Sequence, residues 1–341
     1  MNSGKKLAII IALCLVAAGI ILGGIALASN QFQPEKLTRQ VSSLHKTSYS
    51  VSEPFTALEL RGIGGDVRLL PASDGKCRVE CMENEEQTHR VEVRSGVLQV
   101  ERQIKNQIGF NFSLNEQDYI HVYLPKGTYE SLLLETTSGD AECPADFSFG
   151  DAAVSSTSGD ISFRSGVEGS LAVSATSGEI VISGGSPSSV TVSTTSGDIR
   201  LSGVNAGSLS LSATSGILIL ENTELSGEAR FKTTSGDQKL EKVSCASLTT
   251  ESTSGEKRLT DVLVSGELRS ESSSGDLVLQ RCDAGSLYLH ATSGEVRGSL
   301  LTEKSFITDT NSGSVKLPQG TSGGRCEIHT TSGDIRLTVG D

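Results

Sequence analysis

From residue 131 onward, apolar and polar positions alternate with a period of two, and the alternation is broken by the same step every 19 or 20 residues. That step is Ser-Gly, with its glycine at Gly139, Gly159, Gly178, Gly197, Gly216, Gly236, Gly255, Gly275, Gly294, Gly313 and Gly333. With each glycine as position zero, position −7 is apolar in Leu132, Leu171, Val190, Leu209, Leu248 and Leu287, and position −5 in Val154, Val192, Phe231 and Ile328. Position −3 is small, as in Thr136, Ser156, Ala175, Ala213, Ala291 and Thr330. After the step, position +2 carries Ile161, Ile180, Ile199, Leu277 and Ile335, and position +4 carries Phe163, Leu201, Leu240, Leu279 and Leu337. Alternation on both sides of a turn predicts two short strands, each with one buried face. No 3.6-residue periodicity occurs in residues 131–341, so no helix is expected there.

A fixed period of this length marks a repeat architecture. Each unit closes on itself with two inward faces, which predicts an all-β, single-chain parallel β-solenoid of about eleven coils, extending roughly 50 Å at strand spacing. The small residue at −3 fits the corner, and the glycine supplies a residue able to take positive φ. An antiparallel meander of Ser-Gly hairpins would bury the same positions but leave a wide apolar sheet face uncovered. Calcium-binding β-rolls and leucine-rich repeats need signatures that are absent here.

The region before the repeats is organised differently. Lys5 and Lys6 precede an apolar run from Leu7 to Ala28, long enough to cross a bilayer as a helix. The positive flank predicts a cytoplasmic N-terminus, with residues 1–29 as stub and transmembrane anchor and the rest outside. The alternative is secretion after signal cleavage near Ala28, since Ala26-Leu27-Ala28 resembles a cleavage site. Residues 30–50 read as a polar tether. Residues 51–130 read as degenerate β coils and an N-terminal cap, with Leu58, Leu60, Gly65, Val67 and Leu69 reproducing a coil's spacing. A weaker echo is Val91, Val93, Ser95, Gly96, Leu98 and Val100, and Arg102–Glu116 reads as a loop or hairpin over the open end.

Composition narrows the partners. The formal net charge of −12 argues against nucleic acid or an anionic membrane surface as a direct partner. Seven cysteines suggest a disulfide set, yet Cys14 lies in the apolar N-terminal run and Cys77 and Cys81 share one strand. Cys143, Cys282 and Cys326 fall on inward positions, so unpaired thiols are expected. No Cys-x-x-Cys occurs to build a thiolate zinc site.

The most regular polar feature is the acid at position +1: Asp140, Asp160, Glu179, Asp198, Asp237, Glu256, Asp276, Glu295 and Asp334. Stacked coils would align these carboxylates, and like charges at strand spacing need an offset. Turn N–H groups and basic neighbours supply one; a calcium-collecting ladder is the sharper alternative. The outward −4 row reads Glu251, Glu271, His290, Asp309, His329 in sequence order, from which His290, Asp309 and His329 on consecutive coils could hold zinc or respond to pH. Threonine recurs at −2. Gly320-Thr321-Ser322-Gly323-Gly324 satisfies a nucleophile-elbow pattern without the strand-to-helix context such a site needs. Leu317-Pro318-Gln319-Gly320-Thr321 resembles a sortase signal with its last two letters exchanged, and no apolar tail follows.

The Thr-Ser-Gly-Asp-Ile repeats, with Gly64-Gly65-Asp66-Val67-Arg68-Leu69 and Val122-Tyr123-Leu124-Pro125, resemble the bacterial DUF4097 family over about residues 51–341. That family is named for adhesin domains and implies a β-solenoid with no catalytic residues to carry over. The expectation is a membrane-anchored, extracellular, non-enzymatic solenoid that presents a repetitive surface to an envelope or host ligand and needs no cofactor beyond the calcium alternative. The other reading is a structural or sensory envelope protein acting with a membrane stress regulator. The last coil ends near Leu337, and its open edge is expected to be available for self-association.

Overall fold

The computed structural model describes residues 43–105, 118–319 and 322–340, and the fold is described for these. They form an all-β parallel solenoid, with no helix among the described residues. The apolar run Leu7–Ala28, and with it the anchor and signal-peptide readings, lies outside the described residues, as does Asn106–Glu116 of the expected end-covering loop. All eleven Ser-Gly steps sit in bends between strands. The strand before each step pairs in parallel with its counterpart in the neighbouring coil, in register, as Val190↔Leu209 and Val192↔Leu211 show. The strand after the step does the same, as in Ile199↔Leu218 and Leu201↔Leu220. This parallel register rules out the hairpin meander.

The predicted inward positions form ladders through the core. Leu134, Val192, Leu211, Phe231 and Leu289 are fully buried on one sheet, and Ile180, Ile199, Leu218, Leu240 and Leu279 on the other. Full burial of such side chains contributes about 1.5–3 kcal/mol each. Backbones approach closely at every Ser-Gly corner. A Cβ added to Gly236, whose φ is +156°, would lie 1.9 Å from the Gly216 carbonyl oxygen below it. The glycine is therefore required by the neighbouring coil as well as by its own turn.

The opposite corner carries no mark in the repeat pattern. Six residues after the glycine, six consecutive coils turn through a second left-handed position, filled by Gly184 and Gly203 and then by Asn222, Lys242, Asp261 and Arg281 at φ of 50 to 54°. Left-handed geometry is uncommon outside glycine and asparagine. Here Arg281 donates from Nε and Nη2 to the Asp261 carboxylate at 2.7 and 2.6 Å, tying two successive corners together.

Both ends of the stack depart from chain order. The coil Ala57–Ile63 and Asp66–Pro71 lies between two others: the first repeat coil on one side, and strands Val97–Ile104 and Tyr119–Leu124 on the other. The early coil spacing at Leu58–Leu69 is thus a true coil. The echo at Val91–Val100 is not: Gln87–Arg94 and Val97–Ile104 form an antiparallel hairpin, and Ser95-Gly96 is its turn. Antiparallel strands His45–Val51 and Cys77–Glu83 cover the other sheet at this end. Buried Glu83 ties the cap together, accepting from Tyr49 Oη at 2.9 Å and from the His89 backbone N–H at 2.6 Å.

At the far end, Gly324–Ser332 pairs with the end of Leu277–Ser293 on one side and with Lys304–Ser312 on the other. Ile335–Val339 is likewise held between Val296–Leu300 and Val315–Lys316. The last coil in sequence is therefore internal, and the open edge belongs to the coil before it. This corrects the expectation that the edge lies at Leu337, and it also reorders the histidine row. Lys304 fixes the arrangement: its buried ammonium donates to the Ala284 carbonyl and Thr302 Oγ1, both at 2.8 Å, and lies 2.7 Å from Asp283 Oδ1. Lys304 is paired with Gly324, where a Cβ would lie 2.0 Å from the Gly285 carbonyl oxygen. The bare glycine lets the lysine reach across one coil to the next.

A polar node interrupts the core in the middle of the repeats. Lys257 occupies the inward +2 position, 1% exposed, and donates to the Thr250 carbonyl at 3.0 Å, to Ser270 Oγ at 3.4 Å and to the Glu271 carbonyl. One coil earlier, Gln238 donates to Thr233 Oγ1 at 3.0 Å and to the Glu251 carbonyl at 2.7 Å. Thr250 and Ser270 stand at −5, where every other coil except that of Thr308 carries an apolar side chain. Burial pushes the Lys257 ammonium down from 10.5 to about 7, and Glu271 and Glu251 offset part of that. The drop corresponds to a differential penalty on the order of 5 kcal/mol against the charged form. The six cysteines among the described residues are free and buried, and burial pushes the Cys143 thiol up to about 12.

These two lysines can be tested separately. Lys304→Ala leaves Asp283 and the Ala284 carbonyl without their cation, and should cost about 2–4 kcal/mol. Hydrogen exchange should then accelerate first in strand Lys304–Ser312, before the central coils. For Lys257, the unfolded chain binds more protons than the folded one between the folded value of about 7 and the unfolded value of 10.5. Its contribution therefore improves as pH rises through that window and worsens as pH falls toward 7. Lys257→Met, measured by chemical denaturation at several pH values, should gain most over the parent near pH 7 and least near pH 10.

Candidate functional site

The acidic row has a structural explanation that divides by side-chain length. Each aspartate accepts a hydrogen bond from the backbone N–H at the same position in the adjoining coil. Asp140 Oδ1 accepts from Asp160 N at 2.9 Å, Asp160 from Glu179 N at 2.7 Å, and Asp198 from Ile217 N at 2.8 Å. Asp237, Asp276 and Asp334 accept in the same way from Glu256, Glu295 and Ser314 at 2.8, 2.9 and 2.8 Å. The Ser314 backbone bond is the first cause holding the Asp334 carboxyl below its usual range. Asp66 starts the series before the regular repeats, accepting from Asp140 N at 3.0 Å.

The glutamates are offset by arginines at position +3 instead. Glu179 lies 3.7 Å from Arg200, Glu256 pairs with Arg258, and Glu295 lies 3.4 Å from Arg297 and 2.7 Å from Arg336. The repulsion expected along the row is thus relieved locally, coil by coil. One oxygen of each bonded aspartate is already committed to the fold. Among the described residues no group of three or more His, Cys, Asp or Glu is placed to hold a metal ion.

A different surface carries the chemical variety. On the sheet that precedes the Ser-Gly corners, the outward positions −6 and −4 read Ala153 and Ser155, Ala172 and Ser174, Thr191 and Ser193, then Ser210 and Ser212. From strand Glu228–Ser235 onward the same positions become Arg230 and Lys232, Thr249 and Glu251, Arg269 and Glu271, then Tyr288 and His290. The next coil in space contributes Glu327 and His329, and the outermost one Ile307 and Asp309. The histidine row is therefore Glu271, His290, His329, Asp309 in space: the two imidazoles are neighbours and Asp309 is outermost. The sequence order had placed Asp309 between them.

These side chains touch one another across the strands. Lys232 Nζ lies 3.3 Å from Glu251, and Arg269 pairs with Glu271 while its guanidinium sits 4.2 Å from the centre of the Tyr288 ring. The Tyr288 and His329 rings are 6.1 Å apart, and His329 Nε2 lies 2.6 Å from Glu327 Oε1. An open groove of about 470 Å³ runs across the four coils, with Lys232, Glu251, Glu271 and His290 on one wall and Thr253, Ser273 and Thr292 on the other. Such a groove offers donors and acceptors at strand spacing beside one aromatic face. The −4 wall was legible in the sequence; Arg269 and Tyr288 at −6, which flank the groove on the far side of that wall, were missed, although the shift from hydroxyl to charged side chains is visible once both rows are aligned.

A second concavity of about 720 Å³ lies at the other end, where Phe55 stacks on Tyr129 at 6.0 Å and Lys76, Arg78 and Lys126 line the rim. Nothing in the repeat pattern signals it, because it forms between the irregular cap and the first coils. Ser322, from the nucleophile-elbow pattern, is exposed and donates to the Glu303 carboxylate; Gly320 and Thr321 lie outside the described residues. The −2 threonines are exposed along the corner, as in Thr157, Thr176 and Thr253.

The aspartate ladder makes a direct prediction. Asp160→Ala should lower stability by about 1 kcal/mol in urea denaturation, because the Glu179 N–H loses its acceptor. Asp160→Asn, which keeps an acceptor oxygen without the charge, should recover most of that loss.

Comparison with known proteins places the chain. The family model described as Toastrack DUF4097 matches residues 55–258 and 239–339. No curated protein matches. Among solved structures, a Bacteroides fragilis protein described as a "putative adhesin" is 13% identical, with 86% of this chain and 97% of that one covered at a TM-score of 0.36. A Parabacteroides distasonis protein described as a "putative lipid binding protein" is 14% identical, covering 87% and 97% at 0.36. Another P. distasonis structure, with the same description as the first, is 11% identical, covering 87% and 98% at 0.39. With more than half its length matched by the family model, the chain belongs to the Toastrack DUF4097 family.

Proposed function

We propose that this protein is a non-enzymatic recognition solenoid of the cell envelope, held at the membrane by the apolar segment Leu7–Ala28, and that it binds a surface glycan in the groove between Lys232 and His290. The observation that carries this reading is the change in outward chemistry along one continuous sheet. After a first coil with Leu133 and Glu135, four coils present only alanine, serine and threonine, and the following coils add Arg, Lys, Glu, Asp, His and Tyr at the same two positions. The fold requires nothing of these positions, since they face away from the core. A polymer lying along the strand-stacking direction would meet Glu251, Glu271 and His290 at regular intervals as partners for its hydroxyls. Flanking the groove beyond the −4 row, Tyr288, braced by Arg269, offers an apolar ring face of the kind a sugar's C–H groups favour. The groove's carboxylates are paired with Lys232 and Arg269, an arrangement suited to holding a ligand rather than to transferring protons.

The test is retention of the purified protein on polysaccharide isolated from the envelope. Tyr288→Ala and Glu271→Gln should each weaken retention by about tenfold, the effect of losing a central contact, without moving the thermal transition. Parent-like retention by both variants would refute the groove as the binding surface.

A further inference from the structure

The two ends of the solenoid are finished differently. At the first end the outermost strands are antiparallel, and strand Gln87–Arg94 carries Arg90, Glu92 and Arg94 along its edge. Charged residues of this kind are a standard protection against edge pairing. At the other end the outermost coil has no such cover. Strand Lys304–Ser312 is paired with Gly324–Ser332, and Val315–Lys316 with Ile335–Val339, and among the described residues neither has a strand on its outer side. Lys304 is turned inward to Asp283, so it does not guard the edge. Three of the six large apolar side chains exposed among the described residues, Leu301, Ile307 and Val315, fall on this coil or its lead-in. Val315 occupies the inward +2 position and is still 43% exposed, because no coil lies beyond it.

Two charges at this end make the edge self-complementary. Asp309 is four residues before Gly313 and Lys316 three residues after it; both are exposed, and neither has an ion-pair or hydrogen-bond partner among the described residues. Positions mirror about the Ser-Gly corner within a coil, so inward −3 lies level with inward +2, and outward −4 with outward +3. We infer that two copies of the chain join tail to tail through this coil, about a two-fold axis parallel to the strands. That operation sets Lys304–Ser312 of one copy antiparallel beside Val315–Lys316 of the other. It brings Asp309 of each copy to Lys316 of its mate, twice by symmetry, and covers Val315 with Thr310. An isologous contact of this kind closes at two copies instead of growing into a fibre.

Sedimentation velocity of the full chain in mild detergent tests this. The parent should sediment as a concentration-dependent pair in the micromolar range. Asp309→Lys and Lys316→Asp, each placing like charges opposite one another twice, should each weaken the pair by at least about tenfold. An equimolar mixture of the two variants should restore it. In the mixed pair the introduced lysine meets the introduced aspartate at one contact, and the native Asp309 and Lys316 meet at the other. Asp309→Asn, which only removes attraction, should fall between parent and reversal and serves in place of a reversal that does not fold. A parent that stays monomeric, pairing indifferent to both reversals, or a mixture that fails to pair would each overturn the inference. Dependence on the apolar segment Leu7–Ala28 alone would appear as the second of these outcomes.

Discussion

The constraint that recurs in every coil of this molecule is backbone against backbone at the Ser-Gly corner. Each coil's glycine presses on the carbonyl of the coil below at a distance that leaves no room for a side-chain carbon. The corner thereby holds successive coils in register, and other regularities follow from it. Aspartate one residue later is the right length to reach the next coil's N–H, while glutamate overshoots and turns to an arginine instead. The inward ladders stay aligned because the corner does not drift. A repeat protein whose contacts are nearly all between neighbouring coils gains its stability from such nearest-neighbour terms, summed along the stack.

Regularity brings a difficulty, since near-identical coils could pair in more than one order. Two features favour a single solution. The Lys257 ammonium donates to two backbone carbonyls and to Ser270 Oγ beside the small polar residues at −5, so a shift by one coil would bury it against larger apolar side chains without that hydroxyl. Lys304 reaches over Gly324 to Asp283, which selects the arrangement in which the last coil slips inside the one before it. The same inward placement at the other end means that neither end of the described repeat is closed simply by its first or last coil. The outermost positions are taken by segments whose outward chemistry differs from the interior repeats. One end is blunted by charge and antiparallel strands. The other keeps a bare parallel edge.

The candidate groove illustrates how function can sit on such a scaffold without disturbing it. Positions −6 and −4 are free of the core's demands, and the fold persists whether they hold Thr191 and Ser193 or Tyr288 and His290. Their neighbours are set by strand pairing alone. Arg269 comes to lie over Tyr288 because the two residues are register partners on adjoining coils. A surface of this type can change along its length one coil at a time.

The sequence by itself determined the parallel solenoid, the inward ladders, the corner glycines, the buried free thiols and the outward direction of the acidic and −4 rows. All of these are local: each depends on the strand period of two and on a turn that recurs at constant spacing, so reading one coil reads them all. The Lys257 node was visible only as a departure at +2, and its meaning depended on Thr250 and Ser270, which lie on the facing sheet. The second left-handed corner escaped notice because Lys242, Asp261 and Arg281 carry none of the usual signs of that conformation. Tertiary structure alone decided the order of the coils at the two ends, and with it the adjacency of His290 and His329, the internal position of Ile335–Val339 and the identity of the open edge. The reason is that every coil presents the same backbone ladder to its neighbour. Pairing in sequence order and pairing with one coil exchanged satisfy the same periodicity, and side chains as remote as Lys304 and Asp283 distinguish them.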